Sequence, residues 1–257
     1  MSNLHSYPSW QIAAALFLLL ILAIELGYWI GRRLGKPSEE SNSALNTVKG
    51  ALLALVGLLL GFSYSMASTR FETRKAMLIQ EANAIGTAYL RGDLFDEVRR
   101  EPYRELLRRY TDARLAFFRM TTDAEAVSGA LQPSEALQNE IWKLGMEQAR
   151  ANPLSPNNLL IVDSLNAMID TGTERVAARQ NEVPQPIIVL LIVSTFIAGL
   201  FIGHSFGIGR RRSWLATFGF AFVISLVVFV ILDLDQPRRG SIRISQEVMV
   251  QLRSSMK

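Results

Sequence analysis

Apolar positions along this chain are bunched into four long runs, Trp10 to Gly31, Gly50 to Ala67, Pro186 to Phe206 and Trp214 to Leu232. A helix that crosses the hydrocarbon core of a bilayer needs about 20 predominantly apolar residues. Each run meets or approaches that length, and Gly50 to Ala67 is the shortest. Besides tyrosine, the only ionisable groups inside the four runs are Glu25 and His204, whereas the rest of the chain is densely charged. The contrast predicts four spanning helices.

Between the second and third runs the periodicity changes to that of water-exposed helices. Downstream of Ala67 there is no Gly or Pro until Gly86, and Phe71, Leu78, Ala82, Ile85 and Tyr89 recur at helical spacing. The second span is therefore expected to continue past the bilayer as one rod. Pro102 is placed to open a further helix, with Tyr103, Leu106, Leu107, Tyr110, Ala113 and Phe117 on one apolar face. Pro133 and Ser134 mark another start, with Ser134 as N-cap, and Asn152-Pro153 a stop. A last soluble helix is expected from about Asn158 to Gln180. No alternating strand pattern competes. The expectation is an all-α membrane protein: four transmembrane helices, with a helical extramembrane domain inserted between the second and third. Its parts are residues 1–67 (spans one and two), 68–185 (the domain), 186–232 (spans three and four) and a polar tail, 233–257.

Charge adds orientation and removes a class of partner. The net charge is +4, yet residues 68–185 hold 15 Lys and Arg against 17 Asp and Glu. The excess sits instead in short loops such as Arg210-Arg211-Arg212, at the membrane edge, which argues for headgroup contact and against nucleic acid. By the positive-inside rule the loops 32–49 and 208–213 are cytoplasmic and the large domain lies on the other side. The absence of cysteine removes disulfides and thiol chemistry, and no nucleophile motif, phosphate loop or metal motif is present. No cofactor and no metal is expected, nor is an enzyme.

Several residues need a reason. Glycines recur every fourth position at Gly27, Gly31 and Gly35, at Gly57 and Gly61, and at Gly199, Gly203 and Gly207, a spacing that lets helix backbones approach closely. A charge at the bilayer centre costs about 2.5–3.5 kcal/mol, so Glu25 is expected to pair with Arg32 or Arg33 at the interface. His204 is expected to be packed near Arg210. These two intramembrane ionisable groups could alternatively carry protons if they met around a polar cavity. Asp233 and Asp235, ending the fourth span, could ligate a cation or face Arg238 and Arg239.

The stretch from Gly57 to Lys75 carries a resemblance. Gly61-Phe62, followed nine residues later by Arg70-Phe71, resembles the second-helix signature of bestrophin chloride channels. The segment from Glu81 to Arg91, EANAIGTAYLR, and that from Leu232 to Gly240, LDLDQPRRG, resemble bacterial bestrophin-like domain proteins over most of the chain. Glu72 stands where a second aromatic is expected, Ala54 is small for a constriction, and no acidic run like the bestrophin calcium clasp is present. The resemblance implies a homo-oligomeric channel for inorganic ions in the bacterial inner membrane. Ala54, Leu58 and Phe62 would line the pore on the second helix, with Arg70, Glu72, Asp233 and Asp235 at its mouth. It also implies a cytoplasmic domain, opposite to the positive-inside reading. The alternative function is a non-conducting sensor or scaffold that binds a partner through the face of Tyr103, Tyr110 and Phe117.

Overall fold

A computed structural model of the chain describes residues 7–35, 38–120, 124–181, 183–236 and 241–257. Its elements are α1 (Ser9–Leu34), α2 (Glu39–Leu90), a 3-10 turn (Arg91–Leu94), α3 (Glu97–Met120), α4 (Ala124–Ala151), α5 (Asn157–Gln180), α6 (Gln185–Ile208), α7 (Trp214–Asp235) and α8 (Glu247–Ser255). Among the described residues there is no strand. Four helices, α1, α2, α6 and α7, are long and apolar enough to cross a membrane. The chain divides into two compact units, residues 1–71 with 182–243 and residues 72–181 with 244–257.

The first unit is a bundle in which α1 packs along α6 and against α7. Around an apolar core that includes Leu16, Leu20, Leu60 and Val228, its exterior is apolar as well, unlike that of a soluble domain. Ser63, Ser194, Thr195, Thr217 and Ser225 are buried, while Leu18, Leu22, Val189, Val193, Leu215 and Phe222 are exposed. Apolar surface of this kind is stable against lipid tails, and backbone groups there must be satisfied inside each helix. Thr195 follows the same rule, returning its hydroxyl to the Leu191 carbonyl (2.8 Å).

Glycine spacing explains the tightness of the α1–α6 pair. A Cβ at Gly203 would stand 1.9 Å from the Ile24 carbonyl oxygen, and one at Gly27 would stand 2.1 Å from that of Leu200. Gly31 meets the His204 backbone and Gly207 that of Tyr28 in the same way. The stripes on α1 and α6 therefore mesh with each other. Gly57 and Gly61 on α2 meet nothing within 4 Å.

The second helix is unbroken over 52 residues. It begins earlier than the polar composition of 32–49 suggests, because Ser38 caps it, its hydroxyl accepting from the Ser41 N–H (3.3 Å). Val56, Leu60 and Ala67 belong to the core of the first unit, and Leu78, Ala82, Ile85 and Tyr89 to that of the second.

In the second unit α3 packs on α4 and α8, and α4 on α5. Tyr103, Tyr110 and Phe117 fill its core, so the aromatic face read as a partner surface is interior. Phe95 stacks on Tyr103 at 4.1 Å, and the Tyr103 hydroxyl donates to the Ala88 carbonyl (3.2 Å). Burial raises the Tyr103 phenol well above its ordinary range.

Three boundaries differ from expectation. Pro102 lies inside α3, which starts five residues earlier because the Asp96 carboxylate accepts from the Arg99 N–H (3.0 Å). Pro133 likewise lies inside α4, and Ser134 is no cap, since its hydroxyl donates back to the Leu131 carbonyl (2.8 Å). Residues 244–257 do not stand apart as a tail. Met249 and Met256 are buried in the second unit, and Arg253 holds Asp112 through two hydrogen bonds of 2.8 and 3.0 Å.

Candidate functional site

Helical geometry divides α2 into two faces. Val56, Leu60, Ser63 and Ala67, at spacings of four, three and four, are buried in the first unit. Ala54, Leu58 and Phe62 are exposed, with Leu58 at 55% and Phe62 at 63%. Ala54 and Leu58, together with exposed Gly61 and Ser65, lie on the side of the helix opposite the buried stripe, and Phe62 flanks it. This exposed strip is apolar or small throughout one span. It is a surface, not a pocket.

At one end of the first unit the chain concentrates charge. Arg70 and Asp235 approach to 4.0 Å, and the Asp235 side chain is wholly shielded. The other Asp235 oxygen accepts from the Val183 N–H (2.8 Å), which ties the entry of α6 to the exit of α7. Asp233 is equally buried. It accepts from the Ser9 hydroxyl (2.8 Å) and from the N–H groups of Ser241 (3.0 Å) and Ile242 (2.8 Å). Asp233 thus takes one O–H and two N–H donors, and Asp235 an N–H donor and a nearby arginine, structural uses that a cation would have to displace. Arg238 and Arg239 lie outside the described residues. Glu72 belongs to the second unit, exposed and 3.9 Å from Lys75.

Glu25 pairs with Arg212 (3.2 Å), not with Arg32 or Arg33. Arg32 is two turns along the axis, about 10 Å away, whereas Arg212 arrives sideways across the α1–α7 contact. Arg212 also lies over the rings of Tyr28 (4.5 Å) and Trp214 (5.6 Å). His204 is half-buried and lines an apolar recess with Gly27, Ile30, Leu45, Leu200 and Phe201. Glu25 and His204 thus face different partners, Glu25 the Arg212 guanidinium and His204 the apolar recess.

One cluster escaped sequence reasoning. Glu81 of α2, at 0% exposure, is held by Arg114 on one carboxylate oxygen and by Arg175 on the other. Arg114 also donates to the Gly172 carbonyl (3.0 Å), and Arg175 donates to Gln246 (2.6 Å) and stacks on Phe118 at 3.4 Å. Burial draws the Arg175 guanidinium below its ordinary value, and the Glu81 charge opposes that. Beside it the Tyr110 hydroxyl accepts from Gln138 (3.0 Å), and burial pushes its pKa up to about 12. A signal existed: Glu81 falls on the Leu78, Ala82, Ile85 stripe and Arg114 on the Leu107, Tyr110, Phe117 stripe.

The arrangement matches known proteins in fold and family. A crystal structure of a bacterial bestrophin homologue variant from Klebsiella pneumoniae aligns with 96% of this chain and 96% of its own, at a TM-score of 0.68 and 12% identity. A second variant of the Klebsiella homologue gives 0.65 at 13% identity, covering 93% and 97%. A structure described as a membrane protein gives 0.63 at 14% identity, covering 94% and 97%. No curated protein matches by sequence. The profile of the Bestrophin-like domain, however, matches residues 17–249, and the chain belongs to the Bestrophin-like family.

Proposed function

We propose that this protein is an ion channel of the bestrophin type, in which several copies surround a central passage lined by α2. Family membership and the likeness to bacterial bestrophin homologues support the class. The observation that carries the pore assignment is the free strip of α2, Ala54, Leu58 and Phe62, lying away from the buried Val56, Leu60, Ser63 and Ala67. A lone subunit leaves it bare, whereas a ring of copies would turn it into an apolar neck that gates by dewetting. The permeant species in this reading is a small inorganic anion. The second unit stands outside the bilayer as a domain inserted between the second and third spans, and Arg70, Glu72, Asp233 and Asp235 lie toward the mouth. The protein is a multi-pass component of the bacterial inner membrane, and the reading requires no catalytic chemistry.

Purified protein in liposomes tests the reading. Halide flux under a gradient is the expected result, with Leu58→Ala and Phe62→Ala altering its rate. A well-assembled oligomer that conducts under no gradient and no variant would overturn it.

A further inference from the structure

Arg212 is neutralised by Glu25, but four other arginines at the same end of the first unit have no acidic partner among the described residues. Arg32 and Arg33 close α1, and Arg210 and Arg211 follow α6. All four are exposed. Charges in a last helical turn complement the helix dipole, which accounts for Arg32 and Arg33. It does not account for Arg210, the one described non-glycine residue with a positive φ, at +51°. Glycine ordinarily takes that position. Gly209 stands immediately before it with a φ of −73° and leaves its own freedom unused. The left-handed turn at Arg210 closes α6, the Arg210 N–H donating to the Gly207 carbonyl (3.1 Å) and the Arg211 N–H to that of Phe206 (3.3 Å), so the helix end fixes the arginine backbone at this point.

Arg210 lines a cleft of about 260 Å³ together with Gly31, Arg32, Gly35, Gly207 and Ile208. Glycines at Gly31 and Gly207 let α1 and α6 touch, and Gly35 carries no side chain into the opening. The volume falls just under the lower end, about 300 Å³, of pockets that enclose drug-sized molecules. It suits a headgroup whose remainder lies outside. The surroundings supply a place for that remainder, since Trp29, Ile30 and Leu34 on α1 are exposed apolar side chains. Arg32 lies over the Trp29 ring at 5.9 Å, an arrangement suited to the bilayer interface.

We propose that the cleft between Arg32 and Arg210 binds the phosphate of an anionic lipid headgroup, whose acyl chains lie along the apolar flank of α1. Guanidinium forks on two sides match the tetrahedral oxyanion, which a zwitterionic headgroup presents with its own cation attached. The site is independent of whether the protein conducts ions.

The test uses the full-length protein in neutral detergent. Short-chain phosphatidylglycerol, phosphatidylcholine and inorganic phosphate are titrated separately, with native mass spectrometry and melting temperature as readouts. Phosphatidylglycerol is expected to be retained and to stabilise, and the other two are not. Arg32→Ala and Arg210→Gly should each weaken that retention about fivefold. Arg210→Gly should also raise the melting temperature without lipid, because glycine accepts the left-handed backbone. Arg211→Ala, outside the cleft, should change neither readout. Equal retention of both lipids, stabilisation by inorganic phosphate matching the lipid, or an Arg211→Ala loss as large as that of Arg210→Gly would overturn the proposal. So would a lower lipid-free melting temperature for Arg210→Gly, which would assign the side chain to packing.

Discussion

Glu81 and Arg175 form an ion pair sealed inside the second unit, with the carboxylate fully shielded and Arg114 on its other oxygen. One negative charge therefore serves two buried positive ones. Removing a partner from such a group leaves an uncompensated charge out of water, whereas replacing the whole group by apolar residues removes the need for compensation. Glu81→Gln should accordingly destabilise the protein by about 3–5 kcal/mol. The triple change Glu81→Leu, Arg114→Met, Arg175→Met should cost far less. Denaturant or thermal unfolding in detergent measures both, and equal losses would mean the group contributes through net attraction instead.

Gly203 and Gly61 share a spacing pattern but not an environment. A methyl group at Gly203 would enter the Ile24 carbonyl, so Gly203→Ala should push α1 and α6 apart and cost about 1–3 kcal/mol or more. At Gly61 the added methyl meets nothing within 4 Å, and the gain in helix propensity, up to about 1 kcal/mol, should leave folding unharmed. Thermal stability of the two variants distinguishes them. If Gly61→Ala were the more damaging, the α2 stripe would be a packing surface between copies.

Tyr110 predicts an alkaline limit. Its folded pKa, about 12, exceeds the ordinary value of 10.0 because burial penalises the phenolate. Between those values the folded chain holds a proton that the unfolded chain has released, so stability is complete below pH 10 and falls as pH rises toward 12. Tyrosinate absorbance should appear late in the native protein, in step with unfolding. Tyr110→Phe should flatten this component of the pH profile, and an unchanged slope would assign the sensitivity elsewhere.

An apolar neck conducts only when wetted. Leu58→Thr and Phe62→Thr should therefore raise the liposome flux of this channel, whereas Leu215→Thr, on an exposed apolar position of α7, should not. Equal effects from all three would remove the pore assignment of α2.

Much of the architecture was legible in the chain because its causes are local. A backbone crossing lipid has to satisfy its own hydrogen bonds, so long apolar runs could only be helices, and with no proline between Ala67 and Leu90 and no glycine there before Gly86, α2 runs on unbroken to Leu90. Helix starts were less legible, since the cap at Asp96 begins α3 ahead of Pro102 and the cap at Ser38 begins α2 ahead of Gly50.

Partnerships across helices were decided by tertiary structure alone. Glycine stripes on three spans look alike in sequence, yet only those of α1 and α6 mesh. Glu25 had arginines seven and eight residues along its own helix but took Arg212 from the loop before α7, and the aromatic face of α3 turned inward to become core. Each outcome depends on how far one helix is rotated and shifted against another. That register is set by close packing summed over whole helix faces, a quantity no single segment of sequence contains.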